Sequence, residues 1–550
     1  MLITSSRRRR ALSVLTASMA VLAASLLTGP SARADDANTL TVVGTSDVFD
    51  SHLVQDVIKP RFEAAYPQYT LDYVSQGTGA AIAYAKAGSA SAMIVHAASL
   101  ENGFVGDGYS TEQYGRAIFW GDYVLLGPAN DPAGVLTTSS HDIATAFEKI
   151  ATAGAAGTAN FVSRGGTPGT TVQEHAIWAL TNGVGKCDVS TTNGGGQSPS
   201  TTTGSCANPI SYPSWYRVTG ATQGPNILNA DVCNYSPAQG ECYTLTDRGT
   251  FNYLQATNQI QNLKIVTRDN ATSARGGQAL LVNSFHAYGV NPAKFTGNSN
   301  VQLNPTAAGR FLTWITSPAA QTAIGKYLNG AADPPFLPSA APAVTSTSLP
   351  RTVAVGRPIS VSGTVSNVVP GTPKLSSAVV RLKAVRASSL ANVPVTVATA
   401  RTDSAGRYVL RYTPSVNMAY YVTTDAISKV EVSTLSPVFG DLLNASSKAL
   451  GGVGVQSTIR VARATHRGHS VRLRGSVGPR AAGSGARLVV YAAKGRRPLA
   501  YKTIRVLPAG TSTFSTKLRF PRGTWRYQVR YVNARVVDSA TTGVRTVRIR

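Results

Sequence analysis

The chain has 550 residues, with 52 Lys+Arg against 26 Asp+Glu and a formal net charge of +26. That length exceeds what one hydrophobic core accommodates, so about three domains are expected, and 43% hydrophobic content excludes a disordered chain. The charge is unevenly placed. Residues 457–550 hold 21 Lys+Arg and one acid, Asp538, while 1–34 hold five arginines and no acid. The stretch 35–456 is therefore nearly neutral, and whole-chain basicity says nothing about what it binds.

The N-terminus reads as an export signal: Arg7 to Arg10 as the charged region, Ala11 to Leu27 as the apolar region, and Ala32-Arg33-Ala34 as the cleavage site before Asp35. No cysteine near that site supports a lipid anchor, and no later stretch reaches the about 18 apolar residues of a membrane helix. The expectation is a secreted, extracytoplasmic protein associated with the cell envelope.

From Thr39 onward strands and helices alternate. Leu40–Val43 reads as a strand, Gly44-Thr45-Ser46-Asp47 as a polar turn and Ser51–Ala65 as a helix. Tyr69–Val74 is a second strand, followed by the turn Ser75-Gln76-Gly77-Thr78-Gly79 and a helix over Ala80–Ala87. Ala92–Val95 is a third strand, ending at His96. Tyr123–Pro128 is a strand with a break, and Asp142–Ala153 a helix. Alternation of this kind predicts a mostly parallel α/β sheet, whose ligands bind beyond the carboxyl ends of the strands.

The strand end Phe161-Val162 then leads into Ser163-Arg164-Gly165-Gly166-Thr167-Pro168-Gly169-Thr170-Thr171 and a helix over Val172–Leu180. This is a glycine- and hydroxyl-rich turn at a helix start, with one arginine inside it. The first amides of a helix have no partner within it and sit at the positive end of the macrodipole, so the turn is a candidate anion site. Arg164 adds a fixed fork of donors, and Ser163, Thr167, Thr170 and Thr171 add hydroxyls. Together 44–47, 75–79 and 163–170 form a constellation of three such turns at strand ends.

The four cysteines, Cys187, Cys206, Cys233 and Cys242, fall in one segment of an exported chain and read as two disulfides. Three connectivities are open; the local pairs 187–206 and 233–242 are favoured because each would pin an irregular excursion. Their spacing does not fit a zinc site. Residues 185–210 read as a surface insertion, Ala279–Asn283 as a late strand, Pro305–Leu328 as a closing helical region, and 331–345 as a proline-rich linker. Beyond it the pattern changes to short strands. Gly356–Val365 recurs as Gly468–Val477, 112 residues later, close to the length of one sandwich domain. Two Ig-like β-sandwiches are expected, over 346–455 and 456–550.

Several blocks of 35–330 resemble the extracytoplasmic tungstate-binding proteins of ABC transporters, within the type II periplasmic-binding-protein fold. They are Thr45-Ser46, Gly77-Thr78-Gly79, Ile94–Ala97, Asp122–Pro128 with Asp131–Gly134, Phe161–Gly165 with Gly169-Thr170, Trp215-Tyr216, Leu245–Thr250 and Gly289–Pro292. The resemblance implies two α/β lobes closing on a tetrahedral oxyanion, tungstate first and molybdate next, delivered to an ABC permease. It implies Thr45, Ser46, Thr78 and Arg164 as ligand contacts with Ser163 and Gly165 beside them, and the focal turn adds Thr170. The sequence departs from the family at Asp47, at Gly166-Thr167-Pro168, in the 185–210 insertion and in the basic tail.

The chemistry agrees with that reading. Tungstate and molybdate are dianions without protons near neutral pH, so their site needs donors alone, whereas phosphate keeps a proton and gains from a buried acceptor. Asp47 is the exception among the donors and is expected as an N-cap or solvent-facing residue. His96 and His175 are expected in structural roles, Arg116 in a salt bridge between lobes, and Trp178, Trp215 and Trp314 in the core. His466 and His469, i and i+3 in a basic strand region, are expected to be incidental. No nucleophile elbow, zincin, P-loop or dinucleotide fingerprint is present, so binding rather than catalysis is expected, with no cofactor and no metal. The basic tail suits anionic cell-envelope polymers or lipid heads more than nucleic acid, given export. The rival reading is a surface protein that keeps the binding fold as a module and works through its tail.

Overall fold

Buried apolar strands set the architecture of the binding region. A computed structural model of the protein describes residues 37–328, 333–386, 393–431, 439–481, 485–495, 497–498, 501–533 and 536–550. The export segment read at 1–34 lies outside them. The chain forms two compact units: Met1–Ala340 with Val368–Pro373 and Ser428–Leu442, and Ala341–Asn367 with Lys374–Ile427 and Leu443–Arg550.

In the first unit β1 (Thr39–Thr45) is buried along nearly its whole length, as a strand covered on both faces requires. It is followed by α1 (Ser46–Asp50), a π-helical turn at Val54–Ile58 and α2 (Lys59–Ala65). The single helix expected over Ser51–Ala65 is thus interrupted: His52 takes φ 60° between α1 and the π turn, a conformation no helix continues through. Next come β2 (Thr70–Gln76), α3 (Thr78–Lys86), β3 (Ala92–Val95) and α4 (Ala98–Gly106). The long strand β4 (Gly115–Pro128) precedes α5 (Ile143–Ala155), β5 (Asn160–Ser163) and α6 (Gly169–Ala179). Then follow β6 (Tyr216–Val218), α7 (Gln223–Val232), β7 (Cys242–Asp247), α8 (Arg248–Ala256) and β8 (Leu263–Thr267). The unit closes with β9 (Val282–Gly289), α9 (Pro305–Ile315) and α10 (Pro318–Ile324).

β4 is the spine shared by two lobes. Its first half, Arg116 to Asp122, pairs antiparallel with β9, which pairs in turn with β3; β3, β1 and β2 continue the sheet in parallel. Its second half, Tyr123 to Leu126, pairs antiparallel with β7, and β7, β5 and β6 run parallel beyond it. Each half has its own core. Leu40, Val42, Ile94, Phe119, Phe285, Phe311 and Trp314 pack in lobe one. Leu125, Phe147, Phe161, Trp178 and Trp215 pack in lobe two, with the Phe161 and Trp178 rings edge to face at 5.3 Å. The three tryptophans are core residues, as expected. At the lobe junction Asp122 on β4 is buried against Arg248, which also reaches Asp333 at 3.1 Å.

The closing helical region is present as two helices, separated where Pro318 removes an amide and Ser317 caps the second. Three expectations need correction. The strand expected at Ala279–Asn283 starts later, as β9, because Gln278–Leu281 forms a 3₁₀ turn with Leu280 and Leu281 buried. Arg116 lies inside β4 and pairs with Glu112 at 2.6 Å in its own lobe, so it bridges no lobes. The stretch read as a linker, 331–345, is not free over its described part. Phe336 is buried against Phe119 and Phe285, and Leu337–Pro338 pairs with β4, because a large aromatic side chain outweighs the proline-rich context.

Both disulfides are the local ones. Cys187–Cys206 staples the excursion after α6, which folds into a small sheet of Lys186–Asp188, Gln197–Pro199 and Gly204–Ser205. Cys233–Cys242 ties the end of α7 to the start of β7.

The second unit is all β over its described residues. Its strands are β10 (Ile359–Ser366), β11 (Val379–Arg386), β12 (Val395–Arg401), β13 (Arg407–Tyr412), β14 (Met418–Thr424) and β15 (Gly451–Gln456). There follow β16 (Thr458–Val461), β17 (Thr465–Arg467), β18 (Ser470–Gly478), β19 (Ala486–Lys494), β20 (Tyr501–Val506), β21 (Thr513–Arg519), β22 (Gly523–Asn533) and β23 (Arg545–Ile549). The internal repeat falls on equivalent strands: β10 pairs with β13, and β18 with β21. The order β12-β11-β14 recurs as β20-β19-β22. In the second copy Val471 and Leu473 of β18 and Phe514 and Leu518 of β21 meet Leu488, Val490, Val529 and Tyr531 of β19 and β22, so two sheets pack face to face.

Phe336→Ala tests whether 336–340 belongs to lobe one. Loss of a buried aromatic is expected to cost about 3–5 kcal/mol, read as a lower urea midpoint for the first unit at unchanged slope. A linker position would leave the midpoint where it is.

Candidate functional site

The three turns singled out in the sequence meet between the lobes. β1 ends at Thr45 and α1 begins at Ser46; β2 ends at Gln76 and α3 begins at Thr78; β5 ends at Ser163 and α6 begins at Gly169. Each of these helices starts without a capping side chain, at Thr45, Gly77 and Pro168. Elsewhere the first amides of α5, α9 and α10 are capped by Asp142, Asn304 and Ser317. Three helix starts therefore face one cleft with their positive dipole ends; Val48 N of α1 is taken by Asp47 Oδ1 and Gly79 N of α3 by Thr167 O, which leaves the remaining first-turn amides for an anion.

The lobes touch across this cleft. Gly79 N donates to Thr167 O at 3.5 Å, and Gly224 N at the start of α7 donates to Asp50 Oδ2 at 2.8 Å. His52 stacks on Tyr253 with ring centroids 3.8 Å apart. A Cβ on Gly169 would lie 2.2 Å from the His96 ring, so only glycine lets α6 approach lobe one this closely.

Thr45, Ser46, Thr78, Ser163, Arg164 and Thr170 are all buried, none more than 6% exposed. The side-chain oxygens of Ser46 and Thr78 have no hydrogen-bond partner among the described residues. Thr45 Oγ1 faces the Asp47 carboxylate, whose pKa it helps to lower, without reaching hydrogen-bond geometry. Arg164 donates from Nε to Ala221 O at 3.2 Å and from Nη1 to Gln223 Oε1 at 3.0 Å. Both acceptors are neutral, and burial lowers the Arg164 pKa against the pull of Asp47, Asp50 and Asp247. Thr170 Oγ1 donates to the same Gln223 oxygen, so Thr170 and Arg164 are held by one residue. Gly165 takes φ 72° and donates to Ser163 Oγ, which places Ser163 inside the turn.

Asp47 requires a correction. It is neither an N-cap nor solvent-facing: it is 1% exposed, its Oδ2 lies 3.0 Å from His96 Nε2, and its Oδ1 accepts from Val48 N. Burial raises its pKa, but the His96 charge and hydrogen bond outweigh that and leave it lowered. Its lone pairs are thus directed to protein donors rather than to a protonated ligand. His96 in turn bonds Tyr123 OH at 2.9 Å through Nδ1, on the half of β4 that belongs to lobe two. Gln223, Asp50, Tyr123 and Asn283, which reaches Asp47 at 3.5 Å, complete the surroundings. None was singled out in the sequence as a site residue.

Behind the focal turn Glu174 accepts from Trp178 Nε1 at 3.1 Å and from Tyr216 OH, and burial raises its pKa to about 7. His175 is buried beside the Gly195–Gly196 loop, and burial lowers its pKa to about 4.

Residues 29–319 match the family described as the PBP superfamily domain, just over half of the chain. The chain belongs to the PBP superfamily. Within it, the chain is 33% identical over 288 residues to a protein of Haloferax volcanii that carries the name of an ABC transporter anion-binding protein, covering 52% of this chain and 68% of that one. It is 28% identical over 334 residues to the tungstate-binding protein TupA of Peptoclostridium acidaminophilum, covering 58% and 94%. Among solved structures, the tungstate-binding protein TupA of Desulfovibrio alaskensis is 28% identical, with 55% of this chain and 98% of that one covered and a TM-score of 0.38. The PBP-superfamily region carries the two lobes and all three turns.

The raised Glu174 pKa gives a pH test. Between pH 4.5 and about 7 the folded state keeps a proton that the unfolded state has lost, so stability falls as pH rises through that window, by about 3 kcal/mol. Glu174→Gln removes this term. The melting temperature of the native chain, minus that of the variant, is expected to decline from pH 4.5 to 7 and level off above it; a flat difference would contradict the assignment.

Proposed function

We propose that the first unit captures a tetrahedral oxyanion, tungstate in preference to molybdate, outside the cytoplasm and hands it to an ABC permease. Thr45, Ser46, Thr78, Arg164 and Thr170 supply the donors, with Ser163 and Gly165 shaping the turn beside them. The observation that carries this reading is the pairing of a buried arginine whose hydrogen-bond partners among the described residues are neutral with two buried hydroxyls that have none there. Each such orphan donor costs roughly 1–3 kcal/mol until an acceptor meets it. An oxyanion without protons meets all of them, and a ligand bearing a proton leaves one opposed. The names of the relatives support the anion class and the transporter partner. The site holds donors and an arginine rather than a nucleophile with a base, which supports binding without turnover.

We also propose that the all-β region is two Ig-like sandwiches, 346–455 and 456–550, as the repeated strand order supports. Attachment of the basic second copy to an anionic polymer of the envelope is the reading its charge supports; it would keep the binding lobes near a membrane permease. Among the described residues no helix is long and apolar enough to cross a membrane.

Isothermal titration of the full chain with tungstate, molybdate, sulfate and phosphate tests the proposal. Tungstate is expected to bind most tightly, Arg164→Ala to weaken it by roughly 100-fold and Thr78→Val by roughly tenfold. Binding that prefers phosphate would overturn the donor-only argument, and no heat from any of the four would overturn the oxyanion reading.

A further inference from the structure

The cations of the second β-copy are not spread evenly in their surroundings. The outward face of the sheet formed by β16, β18, β17 and β21 follows from strict alternation: Val471, Leu473, Phe514 and Leu518 point to the core, so the intervening residues point out. That face carries Arg460, Arg467, Arg472, Arg474, Lys517 and Arg519. Between them stand Thr465, Ser470, Ser476, Thr513 and Ser515. Every one of these residues is a hydrogen-bond donor, and no carboxylate is among them. The register sets Arg472 directly opposite Lys517. Like charges facing each other across an antiparallel pair destabilise it. Among the described residues of 457–550 no ion pair relieves them.

We infer that this face binds an extended polyanion of phosphodiester-linked polyol units, its backbone laid along the strands. The inference rests on the attachment reading above and is independent of the oxyanion site. Charge complementarity supplies the attraction. Alternate residues on one strand repeat about every 7 Å, so Arg472 and Arg474, and Lys517 and Arg519, offer ladders to successive anionic groups. Two other anionic partners fit less well. Single-stranded nucleic acid is held by bases stacking on aromatic side chains, and this face has none. A lipid surface is held by apolar side chains inserted beside the cations, and the large exposed apolar residues among the described residues of this copy lie off this face: Tyr501, Ile504 and Val506 on β20 of the other sheet, and Val544 just before β23, which pairs with β22 of that sheet.

The test uses the full chain and poly(glycerol phosphate) at low salt, with oligo-dT and phosphatidylglycerol vesicles as comparison arms. The native chain is expected to bind the polymer most tightly, with affinity falling steeply as salt rises. A variant with Arg472, Arg474, Lys517 and Arg519 each changed to Ser is expected to lose at least tenfold in affinity. A charge-matched variant of the opposite sheet, with Arg487, Lys502, Arg526 and Arg530 each changed to Ser, is expected to stay within about twofold of native. Because the first variant removes facing like charges, its melting temperature is expected to be no lower than native; a fall would overturn the account of the strained face. Equal losses in both variants, or a larger loss in the second, would overturn this face while leaving attachment standing. Tighter binding of oligo-dT or vesicles than of the polymer would overturn the ligand class, and no binding of the polymer by the native chain would overturn attachment as well.

Discussion

A guanidinium buried beside acceptors that carry no charge has to find its counter-charge elsewhere. Arg164 is that group. Its described hydrogen bonds go to the carbonyl of Ala221 and the amide oxygen of Gln223. The nearby carboxylates offer little: Asp47 is taken up by His96 and Val48, and burial pushes Asp50 and Asp247 upward, towards their neutral forms. Desolvating a charge without a partner is among the most costly acts in a protein interior. The surrounding structure makes sense as the means of keeping that charge uncompensated by the protein and available to an anion.

The rest of the binding unit serves that arrangement. Carrying β4 through both lobes lets strand ends of either lobe point at one cleft. α1, α3 and α6, which begin at the three turns, have no side-chain cap at their N-cap residue, whereas α8, whose Thr250 reaches Asp47 O in the same cleft, is capped by Asp247. Gly169 permits the close approach of α6 to His96, and Gly165, with positive φ, allows the turn that aims Arg164 inward. The Asp47–His96 pair then offsets the charge of the carboxylate next to Ser46. Each device acts at short range, but the outcome is a single donor-rich cleft.

The parts of this that were legible in the sequence are those written in local chemistry. Alternating apolar strands and helices, three Gly/Ser/Thr turns at strand ends and one arginine within a turn pointed to the fold and to Thr45, Ser46, Thr78, Arg164 and Thr170. The local disulfides were the favoured of three open connectivities, and the internal repeat followed from self-similarity. What stayed hidden depends on contacts made over long sequence distances. Nothing near Asp47 announces His96, 49 positions on, and nothing near Thr170 announces Gln223, which the fold brings to the same oxygen. The linker reading failed for a related reason: composition suggested a free chain, while Phe336 found an aromatic pocket whose walls, Phe119 and Phe285, come from β4 and β9.

Anomalous diffraction at the tungsten edge, from crystals of the full chain grown with tungstate, would test the central claim most directly. The account predicts one strong tungsten peak in the cleft between Ser46, Thr78 and Arg164, with its oxygens within hydrogen-bond distance of the Ser46 and Thr78 hydroxyls and the start of α6. A peak elsewhere on the chain, or none at saturating tungstate, would contradict it.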